Sequence, residues 1–367
     1  MTRPSSCEHV VVYRDPAYFA GWPFNGGFWQ FEDGELVVGF IRGKCDYQSH
    51  QCVWHNKIDN EAGEHVFLRS TDGGRTWPLA SMTTAYTRPA FDQQVNAHKP
   101  AAQKTTPLNP RHEDYCLIAG FGIPEKTQAH KAFTLISQDR GRTWGHLALL
   151  PYGKNSAPLF TFVAVRPTYI VRPDGMLLLF GMVDCTGFET NQTRPFVFAS
   201  TDGGLSWLPL AEVTMEPAYP MGIMGYPLQC EDGTILLAVR RQYTMGGAFT
   251  QIYASTDGAH SWQLRSRVND FGAPADLNFL PDGSIVCTYG YRVEPFGIRA
   301  RISRDQGRTW GAEIILRDDG GSNDLGYPRT IVRADGSLVT TYYFNTLDDP
   351  VQYFGGVRHI AATLWRP

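Results

Sequence analysis

STDGGRTW, residues 70–77, returns four more times along the chain: SQDRGRTW at Ser137–Trp144, STDGGLSW at Ser200–Trp207, STDGAHSW at Ser255–Trp262 and SRDQGRTW at Ser303–Trp310. The common pattern is Ser-x-Asp-x-Gly-x-Thr/Ser-Trp, and the fourth copy departs from it only at Ala259. From average composition one such octamer has a chance probability on the order of one in a million per starting position, so five copies are a repeat. Each position has a physical reading. Asp and Ser side chains bond to nearby backbone groups and close a turn. Gly supplies a positive φ, and Trp packs its ring between sheets. The unit reads as a β-turn with a buried aromatic clasp, and its aspartates as structural.

A second signal alternates with the first. Asp-Gly followed by a short β-rich run occurs at Asp33-Gly34 (ELVVGF), Asp174-Gly175 (MLLLFG), Asp232-Gly233 (TILLAV), Asp282-Gly283 (SIVCTY) and Asp335-Gly336 (SLVTTYY). Asp-Gly between β-patterned segments is a hairpin cue. HEDYCLIAGFG, His112–Gly122, reads as a sixth, degenerate copy. Hairpin and box in alternation make about four strands per unit and six units. Such units cannot each bury both faces alone, and they stack as a propeller. The last unit has no box. It ends in HIAATLW, His359–Trp365, and HVVVYRD, His9–Asp15, is placed to add its outer strand and so remove a free edge. The expectation is an all-β, six-bladed β-propeller, one domain over residues 1–367 closed by the terminal strands, with no amphipathic helix.

Composition narrows the function. Of 367 residues 19% are charged and 43% hydrophobic, with net charge −3, which excludes a strongly basic nucleic-acid binder and a polybasic membrane-surface protein. The apolar run near Met176–Val183 is too short to cross a bilayer. The amino terminus shows no signal-peptide core, so a cytoplasmic protein is expected, unless a leader was trimmed before this sequence. Seven cysteines, an odd number, argue against a disulfide scaffold. Aromatics at 13% suit sugar faces. No nucleotide loop, nucleophilic Ser or Cys motif or cofactor signature occurs, so no cofactor is expected.

If the Asp-Gly turns and the boxes share one rim, residues six to ten positions away from the turns, at roughly 3.3 Å per residue, reach the other. Backward from the turns these are Asn25, Arg166, Tyr226, Asp276 and Tyr327. Forward they are Arg42, Asp184, Arg240, Arg241, Tyr291, Arg292 and Tyr343. Arginine offers a bidentate fork for a carboxylate, and tyrosine a stacking face with a hydroxyl. That rim suits an anionic, hydroxyl-rich ligand, so the expected partner is a carbohydrate rather than a nucleic acid or a membrane.

The boxes resemble the Asp boxes, or bacterial neuraminidase repeats, of the sialidase superfamily, and five boxes over six units resemble its six-bladed propeller. The resemblance implies three arginines on a substrate carboxylate, a tyrosine nucleophile assisted by a glutamate, and an aspartate acid/base. Residues 327–342, YPRTIVRADGSLVTTY, are similar to the family's nucleophile segment and place Tyr327 on the nucleophile. Asp232–Arg240, DGTILLAVR, is similar to the segment of the second arginine and places Arg240 there. Arg292 is the best match for the third. Where the first arginine belongs, the chain has Gly21-Trp22-Pro23-Phe24-Asn25, and where the glutamate belongs it has Met224. The fold transfers, and another acidic sugar replaces sialic acid as the expected substrate.

One hypothesis is a glycoside hydrolase. Tyr327 is its nucleophile, Asp276 or alternatively Asp324 the assisting carboxylate, and Arg240 and Arg292 the carboxylate clamp. Tyr226, Tyr291, Arg241, Arg42, Asn25 and Trp22 complete the substrate-binding set. A tyrosine avoids the like-charge repulsion that a carboxylate nucleophile would meet beside a substrate carboxylate. Asp92 and His98 stand where the acid is expected. The same residue set would also serve a non-catalytic glycan-binding propeller, or a uronate lyase with a Tyr or His base. The insertion at 43–66 carries Cys45, Cys52, His50, His55 and His65, whose spacings match no compact zinc pattern. Together with 85–111 it reads as a substrate-covering loop, with His50 as a second proton-donor candidate.

Overall fold

A computed structural model describes residues 1–48, 58, 62–98, 106–122, 131–151, 162–184, 193–214, 221–243, 247–351 and 355–367. Cys52, His50 and His55 lie outside the described residues. The chain divides into two compact units, Met1–Arg88 with Val268–Pro367, and Pro89–Arg267.

The first unit holds three antiparallel sheets. One runs Tyr18–Gly21, Leu36–Lys44, Glu64–Ser70, Thr83–Thr87, with Phe28–Gln30 also paired to Leu36–Lys44. The next runs Ala275–Phe279, Ile285–Tyr291, Gly297–Ser303, Ile314–Arg317. The third runs Gly326–Val332, Leu338–Phe344, His359–Arg366, Ser6–Tyr13, so the amino-terminal strand is the edge strand of the last sheet, as its sequence position implies. The second unit holds two four-stranded sheets. They are Phe162–Val171, Leu177–Asp184, Arg194–Ser200, Leu208–Glu212, and Met221–Gln229, Ile235–Gln242, Ala248–Ser255, Gln263–Arg267. A third sheet, Cys116–Gly122, Lys131–Ser137, Gly145–Leu149, shows three strands among the described residues and follows the degenerate hairpin.

Local chemistry accounts for this repetition. In every Asp-Gly turn the aspartate accepts the amide two residues on, from Glu35 at 3.0 Å in the first to Ser337 at 2.9 Å in the last. The glycine, at φ 77 to 86°, donates its N–H to the carbonyl three residues back. The boxes are equally uniform. In the first, Ser70 Oγ donates to Asp72 Oδ1 at 2.8 Å and accepts the Gly74 amide at 2.8 Å, while Thr76 Oγ1 donates to Asp72 Oδ2 at 2.7 Å. Both residues after the aspartate take a positive φ, including Arg140 at 62° and Gln306 at 57°. Ala259 adopts φ 80° and still donates to Ser255 Oγ at 2.9 Å, so the fourth box keeps its form without its glycine. Turns and boxes do lie together within each unit. Arg172 beside one Asp-Gly turn donates to the box carbonyl of Gly258 at 3.0 Å.

Apolar cores fill each unit separately. Val286, Ile298, Leu325, Tyr342 and Trp365 pack together in the first, and Leu117, Leu177, Phe198 and Trp207 in the second. Helices depart from the all-strand expectation, with two short ones, Pro23–Gly26 and Leu79–Ser81, in the first unit. An α-helix spans Ala90–Ala97 in the second unit, burying Phe91, Asp92 and Val95. At eight residues it is too short for a periodic signal to stand out.

Candidate functional site

Tyr327 is the second residue of the strand Gly326–Val332, and the ladder to Leu338–Phe344 slips between Gly326 and Arg329. At this bulge Gly326 takes φ 104° and Tyr327 φ 53°. Gly326 must be a glycine here, because a Cβ would stand 2.8 Å from the Gly290 Cα. A bulky residue at positive φ is strained by roughly 1–2 kcal/mol, and such strain concentrates at functional sites. The bulge aims the phenol out of the sheet alternation.

Phe24, Tyr343 and Arg292 lie against the Tyr327 ring. Phe24 meets it edge-on with centroids 6.3 Å apart, Tyr343 meets it edge-on at 5.7 Å, and the Arg292 guanidinium carbon lies 5.3 Å from its centroid. Phe24 belongs to a short helix, Pro23–Gly26, entered through Trp22 at φ 60°. Trp22 is fully buried, stacked on Phe19 at 5.0 Å and tilted against Tyr343 at 5.9 Å, so it forms the wall behind these rings. Asn25 is also buried, and its Oδ1 has no hydrogen-bond partner among the described residues.

Arg292 follows the strand Ile285–Tyr291. Its Nη2 donates to Leu325 O at 2.9 Å and to Tyr343 OH at 3.4 Å. No carboxylate among the described residues forms an ion pair with it. Burial opposes its charge, but Tyr343, Tyr327 and Asp324 outweigh burial and raise its pKa above the ordinary guanidinium value. Asp324 accepts Tyr343 OH at 2.6 Å on one oxygen and Arg358 Nε at 3.2 Å on the other. Arg358 is held in turn by Gly356 O at 2.8 Å and Ser322 Oγ at 3.2 Å. Burial, with Asp324 next in weight, pushes the Tyr343 phenol well above its usual pKa. Tyr327, Arg292, Asp324, Tyr343 and Arg358 therefore form one connected cluster.

The other expected residues of this unit sit elsewhere. Asp276 is fully buried, and its Oδ2 accepts the Thr330 amide at 2.7 Å and Asn278 Nδ2 at 2.7 Å, with Arg329 Nε 3.4 Å from Oδ1. These bonds tie the strand Ala275–Phe279 to Gly326–Val332. Arg42 is engaged by Glu64 at 2.9 Å and Tyr13 OH at 3.1 Å. The Tyr291 ring covers Arg299 at 4.6 Å. His65 is a core residue rather than part of a loop. It is stacked on Phe67 at 5.0 Å, and burial lowers its pKa to about 4.

In the second unit Arg240 is buried with Nη1 3.7 Å from Met224 Sδ, and Met224 itself takes φ 53°. A thioether thus meets this guanidinium where the resemblance placed a glutamate. Arg241 is buried and donates to Tyr253 OH at 3.1 Å. Tyr226 is half-buried across from Ala238. His98 ends the helix Ala90–Ala97, donating its amide to Val95 O at 3.4 Å, and Asp92 lies in that helix's first turn. Among the described residues no group of three or more His, Cys, Asp or Glu side chains is placed to hold a metal ion.

Reading the sequence missed Arg358 altogether and left Tyr343 outside the site. Arg358 lies in no repeat, and its bond to Asp324 spans 34 residues. Tyr343 did carry a signal, since it stands eight residues after Asp335 in the register of the other forward positions.

The chain matches no protein-family model. Over 206 residues, half of the chain, it is 28% identical to a sialidase of Micromonospora viridifaciens, and the chain spans only 31% of that relative's length. Among solved structures it is similar to a Dyadobacter fermentans protein of unknown function, with TM-score 0.77, 24% identity and coverage of 99% of this chain and 98% of the other. A Hadza microbial sialidase superposes with TM-score 0.65 at 16% identity, covering 98% of this chain and 68% of that one. A Penicillium chrysogenum α-L-arabinanase complexed with arabinobiose follows with TM-score 0.62 at 14% identity, covering 98% of both chains. These likenesses establish the fold. The six sheets are the blades of a six-bladed β-propeller of sialidase type.

Proposed function

We propose that the chain is a glycoside hydrolase acting on a sugar that carries a carboxylate, with Tyr327 as nucleophile and Arg292 as the principal carboxylate contact. The observation that carries this reading is Arg292 itself. It is a guanidinium over the Tyr327 ring, bonded among the described residues to the neutral oxygens of Leu325 and Tyr343. A half-buried cation in no ion-pair contact among the described residues is an incomplete pair, and a ligand carboxylate completes it in fork geometry. Asn25 Oδ1, a buried acceptor, would take a sugar hydroxyl.

The chemistry follows from that placement. Tyr327 Oη gives up its proton and bonds to the anomeric carbon as the bond to the leaving oxygen breaks and that oxygen takes up a proton; a water then displaces the tyrosyl oxygen from the carbon and returns its own proton to the phenolate. Neutral phenol and cationic guanidinium avoid the repulsion that a carboxylate nucleophile would meet beside the substrate's own charge. A second reading, an acidic-glycan binder without turnover, is favoured by Asp324, whose oxygens already serve Tyr343 and Arg358, and by Met224 in the glutamate's place.

Tyr327→Phe decides between them. The hydrolase reading expects turnover of fluorogenic sialosides or glucuronides to fall by roughly three orders of magnitude with ligand affinity nearly unchanged. Equal turnover in the variant removes Tyr327 from the chemistry, and wild-type binding without any turnover establishes the binder. A product with an ultraviolet-absorbing double bond would make the enzyme a lyase.

A further inference from the structure

Arg292 and Asp324 carry opposite charges and are joined through a single phenol. Tyr343 OH lies 3.4 Å from Arg292 Nη2 and 2.6 Å from Asp324 Oδ1. Its orientation is forced, because a guanidinium has only donors. The phenol oxygen must accept from Arg292, and its proton must go to Asp324. Tyr343 is fully buried and packed against Tyr327 and Trp22, so water does not take its place. Asp324 is held from the far side by Arg358, which is only 3% exposed and itself bound by Gly356 O and Ser322 Oγ.

This arrangement has a consequence for ligand binding. An Asp–Arg pair left to itself closes into a fork-to-carboxylate contact. Here the carboxylate nearest the candidate anion site meets a phenol and a second arginine instead. Arg292 then keeps its cationic face for an external anion.

We infer that Tyr343 is a positioning residue for anion recognition, an insulator that holds the Asp324 carboxylate out of ion-pair contact with Arg292 and so leaves that guanidinium open to a ligand carboxylate. The elevated pKa of the phenol keeps it protonated, and its bond to Asp324 in place, through the neutral range. The inference rests on the proposed carboxylate-binding role of Arg292, and its test separates the two.

The test uses the full chain and two probes, N-acetylneuraminate and D-glucuronate, with affinity read by calorimetry. Tyr343→Phe frees Asp324 to close on Arg292, and affinity should drop by about tenfold or more. Adding Asp324→Asn removes the competing anion, so the double variant should return to within about threefold of wild type, a rescue no merely structural tyrosine would show. A double variant as weak as the single one, or a single variant binding like wild type, overturns the proposal. Should Tyr343→Phe fail to fold, Asp324→Asn alone decides: affinity equal to or tighter than wild type supports insulation, and weaker binding overturns it. If the wild type binds neither probe, the carboxylate reading fails on its own. Crystal structures of the variants then decide. An Arg292–Asp324 contact within about 4 Å in Tyr343→Phe supports insulation, and Arg292 unmoved on Leu325 O, without Asp324, overturns it.

Discussion

The Ser/Asp/Trp boxes and the Tyr327 cluster are both polar arrangements built on β-turn or bulge geometry, and they are assembled in opposite ways. In a box the bonds that shape the turn join residues within four positions, as between Ser70, Asp72, Gly74 and Thr76. In the cluster, Arg292 reaches Leu325 across 33 positions and Tyr343 across 51. Short-range chemistry repeats with the chain and builds the scaffold five times over. The long-range bonds of the cluster do not repeat with the chain; they form where strands from different sheets of one unit meet. A mutation in a box should therefore lower stability by a modest, local amount. A mutation in the cluster should alter ligand handling with less effect on stability.

The largest effect is expected at Arg292. Arg292→Ala should weaken binding of an acidic glycoside by two to three orders of magnitude, because it removes a half-buried charge from its counter-charge. Its unfolding midpoint in urea should move little. A midpoint shift as large as that of a core truncation would assign Arg292 to the scaffold and erase the contrast.

His65 gives the next effect. Burial lowers its folded pKa to about 4 from an ordinary 6.5, ahead of the opposing bond to Gly26 O. A base with a depressed folded pKa contributes stability that is fully present above its unfolded value and lost as pH falls toward the folded one. Stability should therefore decline between pH 6.5 and 4, by on the order of 3 kcal/mol for this residue. Denaturation curves across that window should flatten in His65→Phe, and an unchanged slope would refute the assignment.

The boxes come third. Asp257 is held at a pKa of about 2 by the Ser261 hydroxyl first and the Ser261 amide next, and Asp305 at about 2 by Thr309 in the same order. A depressed carboxylate stabilises above its unfolded value and loses that contribution as pH falls through the folded one. A second decline should therefore appear between about pH 4 and 2, below the His65 window. Asp257→Ala should cost about 1–2 kcal/mol, the usual loss of a capping carboxylate, and leave glycoside affinity untouched. Lost affinity would mean that boxes and site are not independent.

The smallest effect is expected at Ala259. Ala259→Gly relieves a strained φ of 80° but adds chain entropy to the unfolded state. The net change should stay within about 1 kcal/mol, measured by the same urea titration. A larger stabilisation would show that the fourth box pays heavily for its alanine.

Legibility in the sequence follows the same division. The strand order, the Asp-Gly turns and the outer strand Ser6–Tyr13 were readable because repetition and alternation are local. Tyr327 and Arg292 were readable from their offsets to the turns Asp335-Gly336 and Asp282-Gly283. The partners that orient them were not. Asp276, on the strand bonded to that of Tyr327, bonds Thr330 and Asn278, and Asp324 serves Tyr343 and Arg358. No offset rule records which of two nearby carboxylates a bulge will face. The helix Ala90–Ala97 escaped for a related reason, since its buried face is only three residues.

The central claim, a tyrosine that attacks beneath an arginine-bound carboxylate, is tested most directly by trapping. Incubation with a fluorinated acidic glycosyl fluoride, followed by peptide mass spectrometry, should find one glycosyl unit attached to the peptide bearing Tyr327. Turnover of the parent glycoside with the label on any other residue, or with no label at all, would contradict it.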